Sequence, residues 1–179
     1  MARGWVMPGE TVIDAACATG YGSHLIGQYA GKVIGLDIDE GCIAEGYHRW
    51  GAPNLEFKQF DLSKDELPDA DTLISIETCE HINDLDHFID QTWKHIRRCI
   101  VICSPIGGTS WDYTPEQLKT PAGENNDFIT EGDLARPFVQ RGWVEEWHNS
   151  IGYSSMFIFF KVPPTVPEGY TEGAFKIEN

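Results

Sequence analysis

Five short runs rich in apolar and β-branched residues, at positions 11–14, 33–37, 55–59, 72–76 and 99–104, are separated by stretches long enough to hold a helix. A strand whose successor lies beyond a helical crossover pairs parallel to it, so this alternation confines the chain to an open α/β sheet. The clearest intervening helix is 85–96, where Leu85, Phe88, Ile89, Thr92, Trp93 and Ile96 recur at helical spacing and form one stripe for the sheet. Further helices are expected at 23–30, at 40–50 despite Gly41 and Gly46, and at 130–141 despite Pro137. After Gly142 the pattern changes. Segments 143–148 and 156–161 are strand-like with only a short turn between them, which predicts an antiparallel hairpin.

With 179 residues and 41% hydrophobic content, the chain can bury a core as one domain, expected over 1–161. The Pro- and Gly-rich tail 162–179 is polar, and ordering it requires a surface. It is expected to pack on the domain or on the partner subunit of a homodimer. Segment 105–129 follows the fifth strand and carries Gly107 and Gly108 together with Trp111 and Tyr113. A long loop in that place is expected to close over a ligand.

Thirteen basic against 28 acidic residues give a net charge of −15, spread along the chain. Such a surface repels phosphate backbones, so long nucleic acid is disfavoured as a partner. The five cysteines include no CxxC pair and no zinc-type spacing, and they read as reduced, mostly buried thiols. No charged segment followed by an apolar one opens the chain, and no apolar run approaches the roughly 20 residues that span a bilayer. No membrane partner and a cytoplasmic location are expected.

The first run ends in Asp14-Ala15-Ala16-Cys17-Ala18-Thr19-Gly20-Tyr21-Gly22, a series of small residues leading straight into a helix. Small side chains let a ligand approach the backbone at a helix N-terminus. The second run ends at Asp37, where a carboxylate can accept both hydroxyls of a ribose. The dinucleotide fingerprint GxGxxG is absent, because the third position after Gly22 is Leu25.

Four segments in order, VIDAACATGYGSHLI, VIGLDID, NLEFKQFDL and DTLISIETCEHIND, resemble the motifs of class I S-adenosylmethionine-dependent methyltransferases. The resemblance implies a Rossmann-like, seven-stranded, mostly parallel sheet with a C-terminal antiparallel hairpin and helices on both faces. It implies S-adenosylmethionine as cofactor, with Asp14 and the turn through Ala16, Cys17, Ala18, Gly20 and Tyr21 cradling the methionine part. Asp37 would hold the ribose, Ile38 one adenine face, and Asp61 the adenine amino group with Leu62 beside it. Glu77 and the backbone of Ile76 would face the ammonium or sulfonium. The family usually has glycine where this chain has Ala16 and Ala18, and each added methyl narrows the approach to the backbone.

Glu77-Thr78-Cys79-Glu80-His81 follows the fourth strand, where the transferred methyl would lie. For a hydroxyl acceptor, His81 is the candidate base, oriented by Glu80. The competing duty for this pair is to form the turn itself, since it recurs in the resembling enzymes with very different acceptors. Glu77, Glu80 and His81 also share one face of a helical turn and could ligate a divalent metal. Resembling enzymes that do so bring a further histidine from a loop where this chain has Asn125, Asn126 and Asp127, so the metal question stays open. The expected function is methyl transfer to a small-molecule, sugar or nucleoside acceptor, on oxygen. The alternative, prompted by Ala16 and Ala18, is a non-catalytic or degenerate S-adenosylmethionine-binding protein such as a viral sink or accessory subunit.

Overall fold

Each of the five apolar runs becomes a strand, and the five pair parallel with one another. In the computed structural model, which describes residues 5–106, 130–151 and 154–161, the order is β1 (Thr11–Ala15), α1 (Tyr21–Gly27), β2 (Lys32–Asp37), α2 (Glu40–Trp50), β3 (Leu55–Gln59) and β4 (Ala70–Ile76). A 3₁₀ turn (Cys79–His81) then leads to α3 (Leu85–His95), β5 (Ile96–Pro105), α4 (Glu131–Gln140), β6 (Val144–Ile151) and β7 (Ser154–Phe160). The seven strands form one sheet in the order β3-β2-β1-β4-β5-β7-β6. This is the Rossmann-like arrangement with a terminal hairpin that the motifs imply. Of segment 105–129, expected to close over a ligand, Pro105 ends β5 and residues 107–129 lie outside the described residues, as does the tail 162–179.

The second strand of the hairpin, not the first, docks on β5, and β7 runs antiparallel to both of its neighbours. Composition explains the choice. In β7 every residue from Ser154 to Phe159 is buried, whereas β6 carries Glu145, Glu146 and His148 and takes the edge. Charged side chains on an edge strand also discourage pairing with another chain.

Two cores form, one on each face of the sheet. Phe88, Ile89, Leu134 and Phe138 of α3 and α4 pack with Ile13, Ile34 and Leu73 on one side. Ile26 and Ile43 of α1 and α2 pack with Val12, Val33, Phe57 and Ile74 on the other. No described helix is long and apolar enough to cross a membrane.

Strands β4 and β5 start earlier than their apolar runs, because the charged residues just inside their starts, Asp71, Arg97 and Arg98, are paired. Arg97 meets Asp71 at 2.9 Å, and Asp71 also accepts from the Thr11 N–H at 2.9 Å. Half-buried Arg98 donates to Glu10 (Nη2 to Oε2, 2.7 Å), to the Thr72 hydroxyl (2.7 Å) and to the Trp5 carbonyl (2.6 Å). This network closes the amino-terminal edge of the sheet. Glu10→Ala strands the Arg98 charge in a partly dehydrated place and should cost about 2 kcal/mol, read as a lowered thermal midpoint. Glu10→Gln should recover part of that loss.

Candidate active site at the carboxyl ends of the central strands

Strand order reverses at β1, which has β2 on one side and β4 on the other. The helices that follow β1 and β4 pack on opposite faces, as their places in the two cores show. A crevice therefore opens at the carboxyl ends of these two strands, where open α/β sheets bind ligands.

The turn after β1 has three left-handed positions: Ala16 at φ 60°, Ala18 at φ 46° and Gly20 at φ 80°. An alanine held there costs on the order of 1 kcal/mol, so the surroundings must enforce it. They do so through backbone bonds: Cys17 N–H donates to the Leu36 carbonyl (2.9 Å) and Gly20 N–H to the Cys17 carbonyl (2.9 Å). Ala18 N–H donates to Asp37 Oδ2 at 2.8 Å. Gly20 has a further constraint, since a β-carbon there would lie 2.6 Å from the Phe57 ring. Helix α1 consequently begins at Tyr21, two residues before the sequence pattern suggests.

Asp14 lies buried beneath this turn and accepts from the Ser23 hydroxyl at 2.6 Å. Burial pushes its carboxyl up to about 6, against the Ser23 hydrogen bond and with added repulsion from Asp37. Burial likewise raises the Cys17 thiol to about 12, with Asp14 and Asp37 contributing, so this cysteine is a packing residue and not a nucleophile. At the end of β2, Asp37 accepts from Ala18 N–H and, through Oδ1, from Asp39 N–H at 3.0 Å. Ile38 beside it is 61% exposed, an apolar side chain open to a flat ligand.

Asp61 is more occupied than the sequence suggests. Its Oδ1 accepts from Ser63 N–H (2.9 Å) and its Oδ2 from Lys64 Nζ (2.8 Å), and Lys64 holds the carboxyl below its usual range. Leu62 is buried in the core on the α3 face.

After β4, Glu77 is also left-handed, at φ 52°, with its N–H donating to the Cys103 carbonyl at 2.8 Å. Its carboxylate accepts from the Cys103 thiol at 3.6 Å. Glu80 accepts from the Ser104 hydroxyl, and burial pushes its carboxyl up, partly offset by that bond. His81 is half exposed, and its Nε2 lies 3.7 Å from Glu80 Oε1, near but beyond hydrogen-bond reach. Among the described residues no three histidine, cysteine or acidic groups are gathered as metal ligands, and Glu77 and Glu80 turn toward β5.

Asp14, the turn, Asp37 and Ile38 thus lie at the carboxyl ends of β1 and β2, and Glu77, Glu80 and His81 follow the carboxyl end of the adjacent β4, at the same edge of the sheet. Sequence reasoning missed Ser23, Cys103 and Ser104, the partners of the three acids. Two of them were within reach of strand register, since Ile76 of β4 pairs with Cys103 of β5.

A family model described as a methyltransferase domain matches residues 12–100. A Mycolicibacterium smegmatis protein named as a probable S-adenosylmethionine-dependent methyltransferase is 34% identical over 91 residues, which cover 50% of this chain and 35% of the relative. The chain thus matches about a third of that relative's length. In structure, the chain is similar to a methyltransferase solved in complex with the Haloferax volcanii Trm112 activator, with TM-score 0.76, 13% identity and coverage of 88% and 84%. It is also similar to magnesium protoporphyrin IX methyltransferase from Synechocystis with bound SAH, with TM-score 0.71, 20% identity and coverage of 90% and 77%. At such identities the likeness is one of fold.

The buried Asp14 carboxyl yields a pH test. Its folded value near 6 lies above the ordinary 3.8, so the folded state holds this proton more tightly. The group therefore destabilises the fold above pH 6, and the penalty fades as pH falls toward 4. Asp14→Asn should raise the unliganded protein's stability at pH 7.5 by on the order of 1–3 kcal/mol, with the gain vanishing near pH 4. Thermal melts of both proteins across that range check it, and an equal gain at every pH would refute the titration.

Proposed function

The chain belongs to the class I S-adenosylmethionine-dependent methyltransferases, and on that premise we propose that it transfers the donor's methyl group to an oxygen of a small molecule, sugar or nucleoside. The observation that carries the reading is the distribution of charge around the crevice. Several other partly buried acids have cations: Glu10 with Arg98, Glu56 with Lys32 and Lys58, Asp71 with Arg97 and, at the end of β3, Asp61 with Lys64, while Glu131 accepts from the Ser150 and Ser155 hydroxyls. Asp14, Asp37, Glu77 and Glu80 have no lysine or arginine partner among the described residues. Unpaired carboxylates concentrated in one crevice suit a ligand that brings positive charge and ribose hydroxyls.

When bound, S-adenosylmethionine supplies an electrophilic methyl group on a sulfonium. The chain's own residues bind and orient. Each Asp37 oxygen keeps a lone pair after bonding its backbone N–H and can accept a ribose hydroxyl. Ile38 offers an adenine face, Asp61 retains acceptor capacity for the adenine amino group, and the turn from Ala16 to Tyr21 with Asp14 beneath it holds the methionine part. His81 takes the proton released by the acceptor hydroxyl, with the Glu80 carboxyl 3.7 Å from its Nε2.

The acceptor is a small molecule in this reading because the basic side chains are spent. Of the described lysines and arginines, all but Arg136 and Lys161 are in ion pairs, and the Lys161 ammonium donates to the Trp93 and Ile96 carbonyls. Little is left to neutralise a phosphate backbone. The second reading, a non-catalytic binder of the donor, is favoured by one observation: alanine methyls at two left-handed positions of the binding turn.

Two measurements test the proposal. Asp37→Ala should weaken donor binding by about 1–3 kcal/mol in calorimetry, and an unchanged affinity in the folded variant removes the ribose assignment. His81→Ala should lower donor turnover on a panel of hydroxyl acceptors by roughly 100-fold with little change in donor affinity. Wild-type protein that binds donor but turns over none of the panel would favour the non-catalytic reading.

A further inference from the structure

Of the two carboxylates that follow β4, Glu80 has the less contact with water. Its side chain is 12% exposed, and its hydroxyl partner Ser104 is fully buried at the end of β5. Glu77, by contrast, is exposed. Asp14 is tied to Ser23 under the turn, and Asp37 is tied to backbone N–H groups at the end of β2. The titratable groups around Glu80 are Glu77 and His81 on its own connection, the buried Cys79 thiol, and Cys103 on β5. Only His81 can carry positive charge, and it is half exposed. A carboxylate so placed acts over a short distance with little screening.

We propose that Glu80, held against β5 by Ser104, reads the charge on the donor's sulfur and so favours S-adenosylmethionine over S-adenosylhomocysteine. The inference rests on reading the crevice as the donor site. The two ligands differ by one methyl group and one positive charge, so a residue that tells them apart must sense one or the other. In the transfer, the methyl–sulfur bond breaks, its electron pair stays on sulfur, the methyl joins the acceptor oxygen, and that oxygen's proton leaves to the base. Sulfur becomes neutral, the attraction to Glu80 disappears, and the product loses a contact that the donor had.

Calorimetry with both ligands on the whole chain tests this without an acceptor. At pH 7.5, Glu80→Gln, which can still accept from Ser104, should weaken S-adenosylmethionine roughly three- to tenfold and leave S-adenosylhomocysteine within about twofold. Ser104→Ala should move the ratio of the two affinities in the same direction by less. Equal weakening of both ligands would show that Glu80 only supports the turn, and an unchanged ratio would remove its role altogether; either result overturns the proposal. Wild-type protein that binds neither ligand would instead overturn the donor-site reading itself. Should Glu80→Gln fail to fold, Glu80→Asp, which keeps the charge but withdraws it, should reduce the ratio by less than tenfold, and no change would again overturn the proposal.

Discussion

The geometry of the ligand edge depends on how β1 ends. Three residues of the following turn sit in the left-handed region, two of them alanines, and a free peptide of this sequence would not hold that shape. The hydrogen bond from Ala18 N–H to Asp37 ties the turn to the end of β2, and the bond from Cys17 N–H to Leu36 fixes its base. Parallel register between β1 and β2, Asp14 opposite Gly35 and Ala15 opposite Leu36, delivers those partners. The sheet's burial energy thus maintains the strain. Asp37 therefore has two duties, one to the turn and one to the ligand proposed above.

Charge divides between the two edges of the same sheet. At the amino-terminal edge, Glu10, Asp71, Arg97 and Arg98 neutralise one another and allow β4 and β5 to carry charge just inside their starts. At the carboxyl-terminal edge Asp61 is paired with Lys64, but Asp14, Asp37, Glu77 and Glu80 are satisfied by hydroxyl, thiol or backbone donors and have no lysine or arginine partner among the described residues. Neutral donors stabilise a carboxylate's geometry without cancelling its field. Folding is helped at one edge, and potential for a cationic ligand is stored at the other.

Much of this was legible in the sequence because strand and helix periods are local. The stripe of Leu85, Phe88, Ile89 and Thr92 names its own helix, and the small residues between Asp14 and Gly22 name a turn into another. The acids at strand ends were legible for the same reason. Their partners were not, since Ser104 reaches Glu80 only through β4–β5 pairing and Ser23 reaches Asp14 only once α1 has folded back. The early starts of β4 and β5 were hidden too, because Arg97 and Arg98 look like loop residues until Asp71 and Glu10 arrive beside them. The order within the hairpin follows from burial on both faces of β7, a property of the assembled sheet.

The alanines at 16 and 18 pose a question of design. Glycine at these positions would relieve the left-handed strain and open the backbone to a ligand, so its absence needs an offsetting gain. Alanine reduces the freedom of the unfolded chain, which favours folding wherever the native conformation can be enforced. Here it is enforced from two sides, by Leu36 and Asp37 of β2 and by the closed turn to Gly20. A turn built this way is preorganised before any ligand arrives, and a preorganised site loses less entropy on binding. The methyls narrow the approach while the rigidity lowers the cost of using it. The two effects oppose one another in donor affinity, so the presence of alanine alone does not mark the site as degenerate.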